Sequence, residues 1–386
     1  MNEQKVGLCL AYTGTNYGQL LQAYATQEAI KKKGFQTEII RYHSGKRKGI
    51  KWSYGAVVVA GKQIICELKQ RIKQTGKFPL DELHQRNIIE RQKVSDQFRR
   101  DRMNNIVVCN GINELRRQSG EYFAVLVGSD QVWLPDVAVS NFYTLRFAAP
   151  GIRRISYATS LGVSDYPNYA KKAAGDFWKQ IDYLSVREQQ GKRIIQSIVD
   201  IPVQVVADPT YLFTKEEWEG LIPPRKVIED GYLLCYFLGD SEPIKKYASC
   251  LARKKGLRLV SILSDECQSN DSLFADEVLI GKTPEDFVNL IRNAEYVLTD
   301  SFHGVAFSVI NQKQFNVFYR RRNAVKESRN SRIDNIVRMW GVEERLIREP
   351  ENLEIQDADI DYQEVSRRVN DLRITSLKFL DEALLG

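Results

Sequence analysis

The sequence predicts an α/β protein of two domains, each a parallel sheet flanked by helices. Three observations predict it. Short apolar runs recur along the chain, each followed by a polar loop and a helix-compatible stretch, the pattern of strands buried between helices. The first cycle opens at Lys5 and a fresh one opens after about residue 205. The length, 386 residues, exceeds what one typical core supports.

Residues 5–12 form an apolar strand, residues 13–18 a polar loop holding Gly14 and Gly18, and residues 19–33 a helix stopped by Gly34 before a strand at 35–42. This βαβ opening resembles a nucleotide-binding start without its GxGxxG, so the loop reads equally well as a simple tight turn. Between residues 46 and 77 nine basic residues face a single acid, Glu67, with Trp52 and Tyr54 among them. Such a stretch can rest on an anionic membrane, close over an anionic ligand, or be a solvated helical excursion running to about residue 105. Residues 86–102 alternate in charge like a surface helix.

The α/β pattern resumes with strands at 122–128, 155–161 and 183–186 and a helix at 170–181. A short run at 203–206 leads to a turn at Asp208 and Pro209. In the second half, strands at 232–238 and 257–264 alternate with helices at 243–255 and 284–293. Then comes YVLTDSFHGVAFSVINQKQFNVF, from Tyr296 to Phe318, which reads as strand, loop, helix and strand. A basic loop follows at 319–332, with Arg320, Arg321, Arg322, Lys326, Arg329 and Arg332 able to reach phosphate or carboxylate. Helices close the chain from residue 333, including an amphipathic run at 362–385. The implied domains are residues 1–204, residues 205–345, and terminal helices at 346–386 packing back on the first.

Composition narrows the function classes. Lys plus Arg exceed Asp plus Glu by 56 to 49, a net +7 without any nucleic-acid motif, which suits anionic small molecules or an anionic membrane surface better than duplex DNA. Cys9, Cys66, Cys109, Cys235, Cys250 and Cys267 are scattered without a CxxC pair and read as reduced core residues. No run of about 18 apolar residues and no signal-peptide core is present, so a cytoplasmic protein is expected, with peripheral membrane contact allowed. No metal is expected, since neither HExxH nor clustered His and carboxylates occur.

Ser129 and Asp130, Arg187 and Glu188, and the Thr299–Ser301 loop before His303 all stand at strand ends, which in open α/β sheets face one ligand-binding edge. His303 sits where a strand hands over to a helix, whose free amides attract anions. Imidazole titrates near neutrality and suits proton transfer.

Six pieces in order resemble the polysaccharide pyruvyl transferase family: NYGQLLQAYATQ from Asn16, VGSDQVW from Val127, SYATSLG from Ser156, SVREQQG from Ser185, ADPTYLF from Ala207 and TDSFHGVAFSVI from Thr299. The resemblance implies two Rossmann-like domains facing across a cleft, as in GT-B-like glycosyltransferases. It implies transfer of a pyruvyl group from phosphoenolpyruvate to a sugar of a surface polysaccharide or its precursor, with a lipid-linked or nucleotide-linked acceptor, a cyclic ketal product and no cofactor. His303 and Arg187 are implied as catalytic, and Arg187, Ser301, His303 and Gly304 as donor-binding. Some relatives carry arginine where Ser301 stands, so a second cation for the donor must come from elsewhere or be absent. The residues themselves suggest Asn16, Tyr17, Gln19, Ser129, Asp130, Gln131 and Glu188 as acceptor-binding or cleft-lining, with Asp130 or Glu188 accepting the sugar's proton. Two other functions compete: a nucleotide-sugar-dependent glycosyltransferase of the same architecture, and a non-enzymatic glycan- or partner-binding protein.

Overall fold

The computed structural model describes residues 4–44, 82–103, 105–264, 274–320 and 330–386. The basic stretch at 46–77, Cys66, Cys267, Arg321, Arg322, Lys326 and Arg329 lie outside them.

The first sheet holds β1 (Lys5–Cys9), β2 (Gln36–His43), β3 (Ile106–Asn110), β4 (Ala124–Val127), β5 (Arg153–Thr159), β6 (Tyr183–Val186) and β7 (Gln204–Val205). All pairs are parallel, in the order β3-β2-β1-β4-β5-β6-β7. Its helices are α1 (Tyr17–Lys32), α2 (Glu82–Arg102), α3 (Ile112–Ser119), α4 (Asn168–Trp178) and α5 (Gln189–Ile198). The second sheet holds β8 (Tyr232–Tyr236), β9 (Arg258–Ile262), β10 (Glu277–Leu279), β11 (Tyr296–Thr299), β12 (Gln314–Phe318) and β13 (Leu346–Ile347), again all parallel, ordered β10-β9-β8-β11-β12-β13. With it go α6 (Lys215–Leu221), α7 (Glu242–Lys255), α8 (Pro284–Asn293), α9 (Phe302–Ile310) and α10 (Ser331–Trp340). The chain ends in α11 (Tyr362–Leu385).

Both sheets reverse direction beside their first strand, between β1 and β4 and between β8 and β11. That doubly wound order leaves a crevice at the strands' carboxyl ends, the usual ligand position. The two crevices face each other, so the fold is a pair of Rossmann-like domains across a cleft. It is a GT-B-like architecture. No helix among the described residues is long and apolar enough to cross a membrane.

Why the domains stay together is legible in three helices. Helix α1 is buried on nearly every side, its buried Gln22 and Gln27 donating to the Ala11 and Arg102 carbonyls, both at 2.9 Å. Tyr17 at its start stacks on Phe287 of the second domain, centroids 4.9 Å apart, and donates to the Lys282 carbonyl at 2.9 Å. Helix α11 begins on the second domain, where Tyr362 donates to the Ser308 carbonyl at 3.4 Å, and ends on the first, where Arg153 of β5 donates to the Ala383 carbonyl at 2.8 Å.

Helix α2 corrects an expectation. Its alternating charges predict a surface helix, yet His84, Asn87, Arg91, Ser95, Phe98 and Arg99 are buried. Arg91 donates to the Leu263 carbonyl at 3.1 Å and the Thr15 carbonyl at 3.0 Å, while Arg102 pairs with Glu285 at 3.0 Å. The helix is therefore a polar strut between the domains. Arginine stems bury alongside apolar surface while their forks reach backbone oxygens, so a charged sequence can still pack inward.

Candidate active site

The site forms where four strand-end loops meet. A cavity of about 200 Å³ is walled by Asn16 and Gln19 after β1, Asp130 and Gln131 after β4, Leu238 after β8, Asp300 to His303 after β11, and Arg320, Asn330, Arg332 and Ile333. Its walls thus come from both crevices.

His303 stands in the first turn of α9, which Ser301 caps by accepting from Gly304 N at 3.4 Å. The ring is buried, and its Nδ1 lies over the backbone of Gly18 in α1, the opposite domain. A Cβ at Gly18 would come 2.0 Å from Nδ1 and 2.3 Å from Cγ, so only glycine lets the two domains close on this imidazole. Gly18→Ala is expected to displace the ring and lower kcat by about 10²-fold, the cost of roughly an ångström of misplacement, with a stability loss of about 1–3 kcal/mol from overpacking. Steady-state kinetics beside thermal melting would check both figures.

His303 Nε2 faces Asp208 Oδ1 at 3.8 Å, too long for a hydrogen bond and close enough for an ion pair once the ring is protonated. Burial holds the imidazole pKa below its ordinary value, Asp208 opposes that shift, and Arg187 reinforces it. The net shift favours the neutral ring in the free protein. Asp208 is the residue that the sequence reading missed. In sequence it reads only as part of a turn, and it does cap one, accepting from Thr210 N at 3.1 Å and Thr210 Oγ1 at 2.9 Å. Its other oxygen accepts from Ser129 Oγ at 2.9 Å and Arg187 Nη1 at 2.8 Å. Burial alone would raise its carboxyl, but His303, Arg187 and Thr210 together hold it below the usual carboxylate range.

Arg187, expected to clamp a donor, does not reach the cavity wall. It is 1% exposed, with Phe302 stacked over the guanidinium at 4.2 Å, Glu188 on Nε at 3.2 Å and Asp208 on Nη1. Burial works against its charge, and Glu188, Asp208 and Asp130 more than compensate, raising its pKa. Its Nη2 has no partner among the described residues. Arg187 thus belongs to a layer behind His303.

The other expected residues divide the same way. Asn16, Gln19, Asp130, Gln131, Ser301 and His303 line the cavity. Ser129 and Glu188 do not: Ser129 is fully buried on Asp208, and Glu188 is spent on Arg187. That leaves Asp130 as the candidate base in contact with the cavity; its φ of 81° places it in the left-handed region, a strained conformation that recurs at functional sites. Tyr17 is buried between domains, and Gly304 packs against Thr299, where a Cβ would meet Oγ1 at 2.3 Å. The expected anion-binding amides beyond His303 are also used: Ser301 takes Gly304 N and its carbonyl takes Val305 N at 3.1 Å. Such capping is what serine does at a helix start.

Asp300 completes the site. Its two oxygens accept from Leu238 N and Gly239 N, both at 2.7 Å, which ties the end of β8 to the end of β11. Burial pushes its carboxyl up to about 6 in spite of these donors and Arg320. Among the described residues no group of His, Cys, Asp and Glu could hold a metal ion.

The polysaccharide pyruvyl transferase family model matches residues 16–322. This chain belongs to the polysaccharide pyruvyl transferase family. The match covers both sheets' crevices and every residue that lines the cavity up to Arg320. No curated protein matches in sequence. Solved structures similar to this chain include the UDP-GlcNAc 2-epimerase from Methanocaldococcus jannaschii, 12% identical with 95% of this chain and 92% of that one covered at a TM-score of 0.45. The UDP-GlcNAc 2-epimerase from Neisseria meningitidis bound to UDP-GlcNAc is 11% identical, with 99% and 98% covered at a TM-score of 0.47. Medicago truncatula UGT71G1 complexed with UDP-glucose is 10% identical, with 99% and 98% covered at a TM-score of 0.49. At such identities the likeness concerns the fold alone.

Proposed function

We propose that this member of the family transfers the pyruvyl group of phosphoenolpyruvate to two hydroxyls of one sugar in a surface-polysaccharide precursor, forming a cyclic ketal and releasing phosphate. The observation that carries the reading is the cavity itself. At about 200 Å³ it is smaller than the roughly 300–1,000 Å³ of sites for drug-sized ligands. It suits a compact donor better than a nucleotide sugar. Its walls also offer nitrogen without partners: Gln131 Nε2 and Arg332 Nε are buried and make no hydrogen bond among the described residues. Buried donors left unpaired are costly, so oxygen-rich anions are the matching ligand.

The chemistry follows from the neutral imidazole. Phosphoenolpyruvate brings several negative charges beside His303, which favours the imidazolium and lets Asp208 pair with Nε2. His303 then protonates C3, C2 becomes electrophilic, and a sugar hydroxyl adds there while Asp130 takes its proton. Phosphate departs from C2, and a second hydroxyl of the same sugar closes the ring. Atoms balance without a cofactor: one proton is gained at C3, two hydroxyl protons are lost, and inorganic phosphate carries away the surplus.

Incubation with phosphoenolpyruvate and a lipid- or nucleotide-linked oligosaccharide should release phosphate and raise the acceptor's mass by one pyruvyl ketal. Thermal stabilisation by a uridine or guanosine diphosphate sugar, with none by phosphoenolpyruvate, would refute this assignment.

A further inference from the structure

We propose that Arg332, in the first turn of α10, holds the phosphate of the donor, and that Arg187 acts only from behind. This rests on the donor reading above. Three candidates for the phosphate partner can be weighed on geometry. Arg187 is screened from the cavity by Phe302 and engaged by Glu188 and Asp208. The start of α9 is capped by its own Ser301, an uncharged residue. Arg320 lines the cavity beside Asp300, whose charge it partly meets.

Arg332 combines what the others offer separately: it lines the cavity, as Arg187 does not, its Nε is buried without a partner among the described residues, and it makes no ion pair with them. It also stands in the first turn of its helix, where Ile333 N and Asp334 N donate to the Asn330 carbonyl. A guanidinium at a helix start brings together two things that favour phosphate, the fork and the positive end of the helix dipole. The electrostatics agree. Burial and the nearby charges of Arg187 and Arg320 depress the Arg332 pKa to about 10, although Asp130 and Glu188 oppose the shift. A cation held in this way gains most from an anion entering the cavity.

The test is calorimetric titration of the full chain with inorganic phosphate, phosphoenolpyruvate and pyruvate. Arg332→Met should raise Kd for phosphate and phosphoenolpyruvate about 10- to 100-fold, the worth of hydrogen bonds to a charged group, with little effect on pyruvate. Arg332→Lys, which keeps the charge and loses the fork, should fall between and guards against a misfolded methionine variant. Lys226→Met, removing an exposed charge paired with Glu229, should change nothing. In turnover, Arg332→Met should raise KM more than it lowers kcat. Wild-type affinity for phosphate in both Arg332 variants, or a loss confined to pyruvate, overturns the assignment and leaves the donor reading standing. A wild type that binds phosphate through Arg332 but neither binds nor turns over phosphoenolpyruvate overturns the donor reading alone; a wild type that binds neither overturns both.

Discussion

His303→Ala is expected to lower kcat by about 10²- to 10⁴-fold, the usual contribution of a positioned proton donor, while the protein still folds. The fold should survive because the imidazole makes no hydrogen bond among the described residues that its loss would orphan, and Nε2 is itself a buried atom without a partner. The variant should also change how stability depends on pH. In the folded chain burial lowers the pKa of His303 below its ordinary 6.5. Below pH 6.5 the unfolded chain therefore binds the extra proton first, and stability falls as pH drops through that value. Removing the ring removes this acid sensitivity. Asp300 acts with the opposite sign: with its pKa raised from 3.8 to about 6, its contribution is full below 3.8 and is lost as pH rises through 6. Phosphate-release assays and melting curves at several pH values would check both parts. Activity near wild type in His303→Ala would remove the imidazole from the mechanism.

Much of this could be read in advance because local pattern and global fold agree. The run from Tyr296 to Phe318 is a strand, a helix opened by Ser301 and a strand, and it puts His303 at a carboxyl edge by sequence alone. The repeated polar strand ends did converge, since parallel topology sends them all to one edge. What escaped notice depends on partners far away in the chain. Asp208 lies 95 residues from His303 and 21 from Arg187, and in local sequence it is only the capping residue of a proline turn. The edge strands β10 and β13 escape notice because they span three and two residues; β3 does carry an apolar run, Ile106 to Cys109, but a mostly exposed one at the sheet's edge. Helix α2 misled for the opposite reason: its charges, locally typical of a surface, are satisfied by carbonyls at Thr15 and Leu263 that only the folded chain brings near. Which arginine faces the cavity was also hidden. Arg187 and Arg332 are equally basic in sequence, and burial of the first behind Phe302 separates their roles.

That separation gives the second large effect. Arg187→Met should destabilise the protein by about 3–5 kcal/mol, the cost of removing one partner from a buried ionic cluster. Methionine keeps the contact beneath Phe302 but leaves Asp208 and Glu188, 2% and 6% exposed, facing each other without the cation. Combining it with Asp208→Asn should recover part of the loss, because the uncompensated charge rather than the missing contact is what costs most. A purely structural role would end there. Arg187 also lowers the His303 pKa, while Asp208 raises it. Without Arg187, Asp208 turns its charge on the imidazole alone, so the imidazolium persists to higher pH and the alkaline limb of the activity profile, where the proton donor is lost, should move upward. Kd for inorganic phosphate, by contrast, should change far less than in Arg332→Met. If Arg187→Met loses phosphate affinity as strongly as Arg332→Met and shows no shift in its pH profile, then Phe302 moves aside in solution and Arg187, not Arg332, meets the donor.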